Sequence, residues 1–208
     1  MRGVRSGMAD QSFAEMRFAD FLGAVAAKSP APGGGAVASS CGALAAALAQ
    51  MVVNYSLGKK NLEAHQPALK EAVGKLERAR ALLLELARED AAAYSLLNEL
   101  QKLPESDPRR SGLAEAQLLA VRVPQSVAAA GVDLLVEFES LAGRTNRFLR
   151  SDLGIAAVLA EATVRSAVWN VRINAMERPD RKEIEAACDG AITKAAEICR
   201  RVERACAV

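Results

Sequence analysis

Residues 33–57 read GGGAVASSCGALAAALAQMVVNYSL, and this segment is the strongest indication of the fold class. Alanine and leucine dominate it, and both favour helix over strand. Its larger apolar side chains recur at spacings of three and four residues, which predicts one helical stripe: Val37, Cys41, Leu44, Leu48, Met51 and Tyr55. The remaining face is built of small residues: Ala38, Gly42, Ala45, Ala49 and Val52. Such a helix belongs in the middle of a bundle, where its small face lets a neighbour in the same chain or a second subunit approach closely.

The same segment is long enough to raise the question of a membrane span. Four polar side chains interrupt it, namely Ser39, Ser40, Gln50 and Asn54. Alanine also contributes little to membrane insertion, so we expect a buried helix of a soluble protein and no membrane partner. Residues 1–12 lack the apolar segment of a signal peptide. We expect 1–12 to be a disordered extension and 13–208 to form a single domain.

The rest of the chain predicts an all-α fold, an up-and-down bundle of about six helices. Hydrophobic residues make up 51% of the 208 residues but aromatic residues only 4%, so the composition typical of strands is missing. Glycines and prolines separate the apolar periodic segments. The predicted helices cover residues 14–27, 35–57, 64–101, 111–141, 148–175 and 180–205.

Charge and metal-ligand content exclude several classes of function. The net charge is +2, and no strong basic stripe is present that could neutralise nucleic-acid phosphates. The four cysteines form no CxxC pair and the chain has one histidine, so we expect no metal site. Scattered cysteines in a chain of this size are typical of reduced thiols, which predicts a cytoplasmic protein.

Asp90 interrupts the leucine stripe of the third predicted helix, where it falls between Leu83, Leu86 and Leu97. A carboxylate among apolar side chains is costly unless it is paired or hydrogen-bonded. Burial would raise its pKa toward the range useful for general acid and base catalysis. Alternatively, the helix turns Asp90 to the rim, where it would serve as an ion-pair partner.

The fifth predicted helix has a similar anomaly. Its solvent face is marked by charged side chains, namely Glu161, Arg165 and Arg172. Its core-facing sector nevertheless contains polar side chains, namely Asp152, Thr163, Asn170 and Asn174. Inward polar groups predict a ligand pocket between helices. Alternatively, Asp152 with Ser151 stabilises the helix N-terminus, and the two asparagines are hydrogen-bond links between helices.

The glycines at 33–35 open the second predicted helix. Free backbone N–H groups at a helix start bind anions or carbonyl oxygens. The alternative is a tight turn that requires positive φ angles. The spacing also matches a dinucleotide fingerprint, but the required preceding strand is absent from residues 28–32. After this helix come Lys59 and Lys60, which are either solvated or placed to meet an anionic substrate.

Several motifs together resemble one known family. They are SPAPGGGAVASSCGALAAALAQMVVN at 29–54, GKKN at 58–61, EDAAAY at 89–94, VP at 123–124, NRFLRSDLGIAAVLAEA at 146–162 and NVRINA at 170–175. In this order, over about residues 17–200, the chain resembles the formiminotetrahydrofolate cyclodeaminase and methenyltetrahydrofolate cyclohydrolase family. It departs from the family pattern at Tyr55-Ser56 and at Val168-Trp169.

The resemblance implies an all-α homodimer that acts on a tetrahydrofolate derivative, with no other bound cofactor. By matching positions it implies catalytic roles for Asp90 and Asp152. It implies substrate-binding roles for Gly33, Gly34, Gly35, Asn54, Lys59, Lys60, Ser151, Asn170 and Asn174. These sets overlap the polar residues that periodicity places in the predicted core.

The implied reaction is hydrolysis of the methenyl bridge, which interconverts 5,10-methenyl- and 10-formyltetrahydrofolate. A carboxylate of raised pKa can take a proton from water without a metal, and Asp90 or Asp152 is the expected base. The glycine-loop amides and an asparagine would orient the formyl oxygen, and the lysines would meet the glutamate tail. One alternative is a cyclodeaminase that releases ammonia from formimidoyltetrahydrofolate. Since the sequence shows no formiminotransferase domain, we expect the cyclohydrolase.

Alternatives of another class are a non-catalytic helical dimer that binds folate or a partner helix, and a nucleotide-binding module on the glycine loop. The first predicts that Asp90 and Asp152 can become asparagine without loss of function. The second predicts phosphate binding at residues 33–35.

Overall fold

The computed structural model describes residues 15–207, and within this range it is helical with no strand. The six α-helices are α1 (Phe18–Ala26), α2 (Gly34–Asn54), α3 (Gln66–Gln101), α4 (Leu113–Leu141), α5 (Arg150–Asn174) and α6 (Arg181–Cys206). Short 3₁₀ helices precede three of them, at Lys60–His65, Pro108–Gly112 and Arg147–Leu149. The predicted all-α bundle of six helices is confirmed. The extension expected at 1–12 lies outside the described residues.

The end of α2 differs from the predicted end at residue 57. The helix stops at Asn54, and residues 55–58 form a turn that Gly58 closes with a φ of +72°. The buried Ser56 hydroxyl donates to the Val52 carbonyl (2.7 Å) and accepts from the backbone N–H of Asn146 (2.8 Å). This tertiary contact ties the end of α2 to the start of α5, and helix periodicity carries no information about it.

Small residues allow α2 to lie between α3 and α5. A Cβ atom at Gly42 would lie 3.0 Å from the Thr163 methyl and 3.1 Å from a Leu83 methyl. A Cβ at Gly35 would meet Asp90 of α3, further along the chain than Leu83, so α2 and α3 run antiparallel. Close approach at the small face of α2 is therefore achieved within the chain.

The stripe of larger side chains on α2 is only partly in the core. Leu48 and Met51 pack against the core, whereas Leu44 is 52% exposed and Val37 and Tyr55 are exposed as well. The exposed side chains belong to an apolar surface that α2 and α5 share. We call it the α2–α5 face, and its exposed members are Val37, Leu44, Tyr55, Phe148, Ile155, Val158, Trp169 and Ile173.

This face corrects the solvent face predicted for α5. Of the three charged residues that marked it, only Arg165 is exposed, while Glu161 and Arg172 are half-buried. The reason is α6, which packs on that side of α5 and contributes Asp189 to an ion pair with Arg172. The prediction of a core-facing sector on α5 is confirmed for its apolar residues and for Thr163. The buried residues are Ala156, Ala160, Thr163, Ala167 and Val171.

Two helical segments are long and apolar enough to cross a membrane by length and composition. They are Gly34–Asn54 and Pro108–Leu141, with mean hydropathies of 1.8 and 1.4. More than half of each window is buried inside the bundle, 56% and 61% respectively. Core helices of globular bundles have the same character, so these values alone are weak evidence for a membrane span.

Candidate active site

Gly35 and Asp90 meet where the start of α2 passes the middle of α3. A Cβ atom on Gly35 would lie 2.2 Å from the Asp90 Cγ and from both carboxylate oxygens. The carboxyl group therefore occupies the space that any side chain at position 35 would need. Any larger residue at position 35 would displace the Asp90 carboxyl group from this place.

The alternative explanation of the glycine loop, a turn that needs positive φ, is wrong. Gly33 has a φ of −118°, in the extended region that any residue adopts. Among the described glycines, positive φ angles occur at Gly58 and Gly143, which follow α2 and α4. The loop thus leads directly into α2, and the free N–H groups of the first turn lie next to Asp90.

The Asp90 side chain is half-buried, and burial raises the pKa of its carboxyl group. Within residues 15–207 neither a hydrogen bond nor a neighbouring cation offsets this effect. The ion-pair explanation of Asp90 therefore finds no partner in the described part of the chain. A carboxyl group whose pKa is raised by burial is suited to general acid or base catalysis.

Asn170 brings an amide to the same point from the last turns of α5. Its Oδ1 atom lies 3.4 Å, and its Nδ2 atom 3.8 Å, from where a Cβ on Gly34 would be. Its hydrogen bond to the Ser166 carbonyl is long, at 3.5 Å, so its hydrogen-bonding capacity is largely unused. One turn later, Asn174 donates to the Ala120 carbonyl at 2.7 Å. We call this group the glycine-loop cluster: Gly33, Gly34, Gly35, Asp90, Asn170 and Asn174.

The other predicted site residues lie at the opposite end of α2 and α5, which run antiparallel. Contact between Ser56 and Asn146 joins these ends. We call this group the lysine-loop cluster: Asn54, Lys59, Lys60, Ser151 and Asp152. Asp152 and Lys59 are half-buried, and the other three are exposed. Beside Ser151, an apolar groove of about 440 Å³ runs between α5 and α6, lined by Gly154, Ile155, Val158 and Cys206 among others.

The two clusters are far apart within one chain. Gly34 and Asn54 are the first and last residues of α2, and at about 1.5 Å per residue the helix separates them by about 30 Å. A folate-sized ligand bound at one cluster could not directly contact the other cluster of the same chain across this distance. The set of residues expected to form one site therefore forms two groups in a single protomer.

Comparison with known proteins assigns the chain to a family. A model of the formiminotransferase-cyclodeaminase family matches residues 17–193. The chain belongs to the formiminotransferase-cyclodeaminase family.

Relatives of this family member differ in length and in the activity they are named for. Methenyltetrahydrofolate cyclohydrolase of Methylorubrum extorquens is 33% identical over 166 residues, which cover 77% of this chain and 80% of that protein. Formimidoyltransferase-cyclodeaminase of Gallus gallus is 33% identical over 184 residues, covering 86% of this chain. The match spans only 34% of the Gallus gallus protein.

A solved structure shares the fold of this family member. The crystal structure of formiminotetrahydrofolate cyclodeaminase from Thermotoga maritima is 33% identical in sequence and superposes with a TM-score of 0.85. The match covers 92% of this chain and 96% of that chain.

Sequence reasoning missed one polar group near the glycine-loop cluster of this cyclodeaminase-family chain. Ser39 is fully buried, and its hydroxyl has no hydrogen-bond partner among the described residues. It follows Gly35 by four residues and thus lies on the same face of α2. The spacing of four residues was visible in the sequence, but serine is common in buried helices and did not stand out. The expected roles of both clusters, and the expected absence of a metal, stay predictions at this point.

Proposed function

We propose that the chain is a folate one-carbon enzyme, a methenyltetrahydrofolate cyclohydrolase that interconverts 5,10-methenyl- and 10-formyltetrahydrofolate. The observation that carries this proposal is the Asp90 carboxyl group, whose pKa burial raises and which touches the glycine-rich start of α2. The Methylorubrum extorquens relative supports the cyclohydrolase, because the match covers most of both chains.

In this proposal Asp90 handles the protons of hydrolysis. The methenyl carbon joins N5 and N10 as an amidinium, and water adds to it as the carboxylate takes a proton. The resulting hydroxyl adduct loses its second proton as the bond from carbon to N5 breaks, and the Asp90 carboxyl protonates N5. The products are 10-formyltetrahydrofolate and one released proton, so the equilibrium shifts with pH.

The remaining residues bind and orient in this scheme. The amides of 33–35 and the Asn170 side chain lie beside the carboxyl group and would hold the oxygen of the tetrahedral adduct. Lys59 and Lys60 would meet the carboxylates of the folate glutamate tail. Asp152 is the second candidate for proton transfer, from the lysine-loop cluster.

A second candidate is the cyclodeaminase reaction, which the similarity to the Thermotoga maritima structure supports. N10 of formimidoyltetrahydrofolate would attack the formimino carbon and pass its proton to the imino nitrogen. The Asp90 acid would then protonate the resulting amino group, which leaves as ammonia. The product is 5,10-methenyltetrahydrofolate. The same carboxyl group and amides serve both reactions, since both pass through a tetrahedral adduct at the same carbon.

The test is a pair of assays on the purified protein. Decay of the near-ultraviolet absorbance of methenyltetrahydrofolate reports the cyclohydrolase, after subtraction of the uncatalysed rate. Release of ammonia from formimidoyltetrahydrofolate reports the cyclodeaminase. Asp90→Asn should lower the active rate by at least about 100-fold, the scale expected for removal of a general acid or base. Asp152→Asn is measured beside it, to show whether a second carboxylate takes part.

Glu89→Gln is the matched control, since Glu89 precedes Asp90 on α3 and is exposed. If the wild-type protein binds folate but is inactive in both assays, the result would favour the alternative of a non-catalytic folate-binding dimer. Full activity of Asp90→Asn would refute the proposed mechanism.

We also propose that the enzyme is a homodimer joined through the α2–α5 face. Trp169 is 72% exposed, and large apolar side chains continue along both helices to their far ends. Contiguous apolar patches of this extent are typical of protein interfaces. The two clusters flank opposite ends of the face. We propose a two-fold axis that lies in the face and runs across both helices, because this orientation brings unlike clusters together.

The dimer would therefore complete the active site. The glycine-loop cluster of one protomer would face the lysine-loop cluster of the second copy, which supplies the lysines and Asp152 that lie about 30 Å away within a chain. We further propose that the enzyme works in the cytoplasm without a metal or other bound cofactor. In support, the four cysteines are unpaired, as is usual for proteins of reducing compartments.

A further inference from the structure

Pro124 lies inside α4, where it leaves one backbone carbonyl without its usual partner. In an α-helix the carbonyl of residue 120 accepts a hydrogen bond from the N–H of residue 124, but proline has no N–H. Ala120 is only 6% exposed and Pro124 is buried, so water has little access to this carbonyl. A buried carbonyl that stays unpaired is costly, and native structures nearly always give it another donor.

Asn174 is that donor. Its Nδ2 atom donates to the Ala120 carbonyl oxygen at 2.7 Å, across 54 positions of sequence. Asn174 is the last residue of α5, so the hydrogen bond fastens the end of α5 to the middle of α4. Pro124, in the VP motif at 123–124, and Asn174, in the NVRINA motif at 170–175, are thus linked through the same carbonyl group.

This contact bears directly on the glycine-loop cluster. Asn170 precedes Asn174 by one helical turn, and its Oδ1 atom lies 3.4 Å from the Cβ position of Gly34. If the end of α5 moves away from α4, the Asn170 amide moves relative to Gly34 and Asp90. A displacement of about 1 Å in such a group costs on the order of 100-fold in rate.

We propose that Asn174 is a positioning residue, which pairs with the Ala120 carbonyl freed by Pro124 and thereby holds Asn170 against the glycine loop. The Asn174 amide donates to the Ala120 carbonyl, whereas the family resemblance implies that it contacts the substrate. The effect on catalysis rests on the proposed function, whereas the coupling between Asn174 and Pro124 does not.

A double-mutant cycle tests the proposal, because Pro124→Ala returns to α4 the N–H that the Ala120 carbonyl lacks. Asn174→Ala, Pro124→Ala and the double variant are compared with wild type by urea unfolding. Asn174→Asp keeps the shape of the side chain but loses the donor when it is ionised. Ser126→Ala is the control on α4, since Ser126 is exposed and bonds only within its own helix.

Trp169 supplies a local readout that needs no substrate. It is the single tryptophan of the chain and directly precedes Asn170. In Asn174→Ala and Asn174→Asp we expect its fluorescence to change at lower urea than the far-ultraviolet circular dichroism. In the double variant the urea midpoint should recover in large part, because the Ala120 carbonyl regains a donor within α4. Catalytic activity, reduced roughly tenfold by Asn174→Ala, should stay low, because α5 is still not fastened to α4.

Two results would overturn the proposal. One is a loss of activity in Asn174→Ala with unchanged unfolding and a raised KM, as expected of a substrate ligand. The other is a loss of stability on Asn174→Ala that is equal whether or not the chain also carries Pro124→Ala, which would show that the two residues are not coupled. If wild type were inactive on both folates while the unfolding coupling held, the proposed function would fail and the role of Asn174 in holding α5 would stand.

Discussion

Gly35→Ala tests the contact between the glycine loop and the catalytic candidate. The added methyl would lie 2.2 Å from all three atoms of the Asp90 carboxyl group. Ordinary van der Waals contact begins near 3.4 Å, so the carboxyl group must withdraw by at least about 1.2 Å. It can do so by rotating about its side-chain bonds, because the obstacle is a side-chain end and not backbone.

The expected result is a folded protein with a misplaced carboxyl group. A shift of this size costs about 100-fold in rate when the group must reach a substrate atom. Stability should change little, because alanine is favoured over glycine inside a helix by roughly 0.5–1 kcal/mol, which offsets part of the repacking. The assay is kcat/KM for methenyltetrahydrofolate hydrolysis, with urea unfolding on the same preparations.

Gly34→Ala is the matched control one residue earlier. There the added methyl would lie 3.4 Å from the Asn170 Oδ1 atom, which is ordinary contact. We expect its activity to stay within a few-fold of wild type. Equal activity of the two variants, or a Gly35→Ala protein that loses activity only because it unfolds, would show that the contact between Gly35 and Asp90 does not position the carboxyl group for catalysis.

Three further predictions concern stability and assembly. Burial raises the pKa of Asp90, so the carboxyl group ionises at lower pH in the unfolded chain than in the folded one. The free energy of unfolding therefore falls as pH rises from the unfolded pKa to the folded pKa. Asp90→Asn should raise the urea midpoint at neutral pH, and the gain should vanish at acidic pH. Gly131→Ala should destabilise the fold by about 1–3 kcal/mol in urea unfolding, since its Cβ would lie 2.7 Å from a methyl of the stiff Val164 side chain and 3.3 Å from the Ala160 carbonyl oxygen. Trp169→Glu should convert the proposed dimer to monomers in sedimentation experiments, whereas Lys194→Glu, at an exposed position of α6, should not. A dimer that survives Trp169→Glu would argue against the α2–α5 face.

The six helices could be predicted because their signals are local. Alanine and leucine at helical spacing mark the elements, and the breakers at Pro30, Gly58, Pro104 and Gly143 separate them. The boundary at the end of α2 could not be predicted, because Ser56 leaves the helix to bond Asn146, 90 residues away. Such contacts depend on the packed bundle and leave no local pattern.

Asp90 could be singled out because a carboxylate on a leucine stripe contradicts the pattern around it. The role of Gly35 could not be predicted from the sequence, because only the packing of α2 on α3 shows that the Asp90 carboxyl group fills the space of a side chain at position 35. Nor could the sequence distinguish an apolar side chain of the core from one of an exposed face, as Leu44 and Trp169 show. The family resemblance named residues of one site, but the antiparallel course of α2 and α5 separates them into two clusters.

Mixed dimers show whether unlike clusters of two protomers form each active site, as we propose. Asp90→Asn and Asp152→Asn chains, with different affinity tags, are co-expressed and the mixed dimer is purified through both tags. If each site needs Asp90 of one protomer and Asp152 of the other, each variant alone is inactive, and the mixed dimer has one intact site and about half of the wild-type activity. A mixed dimer as inactive as its two parents would show that the active site is not shared between protomers in this way.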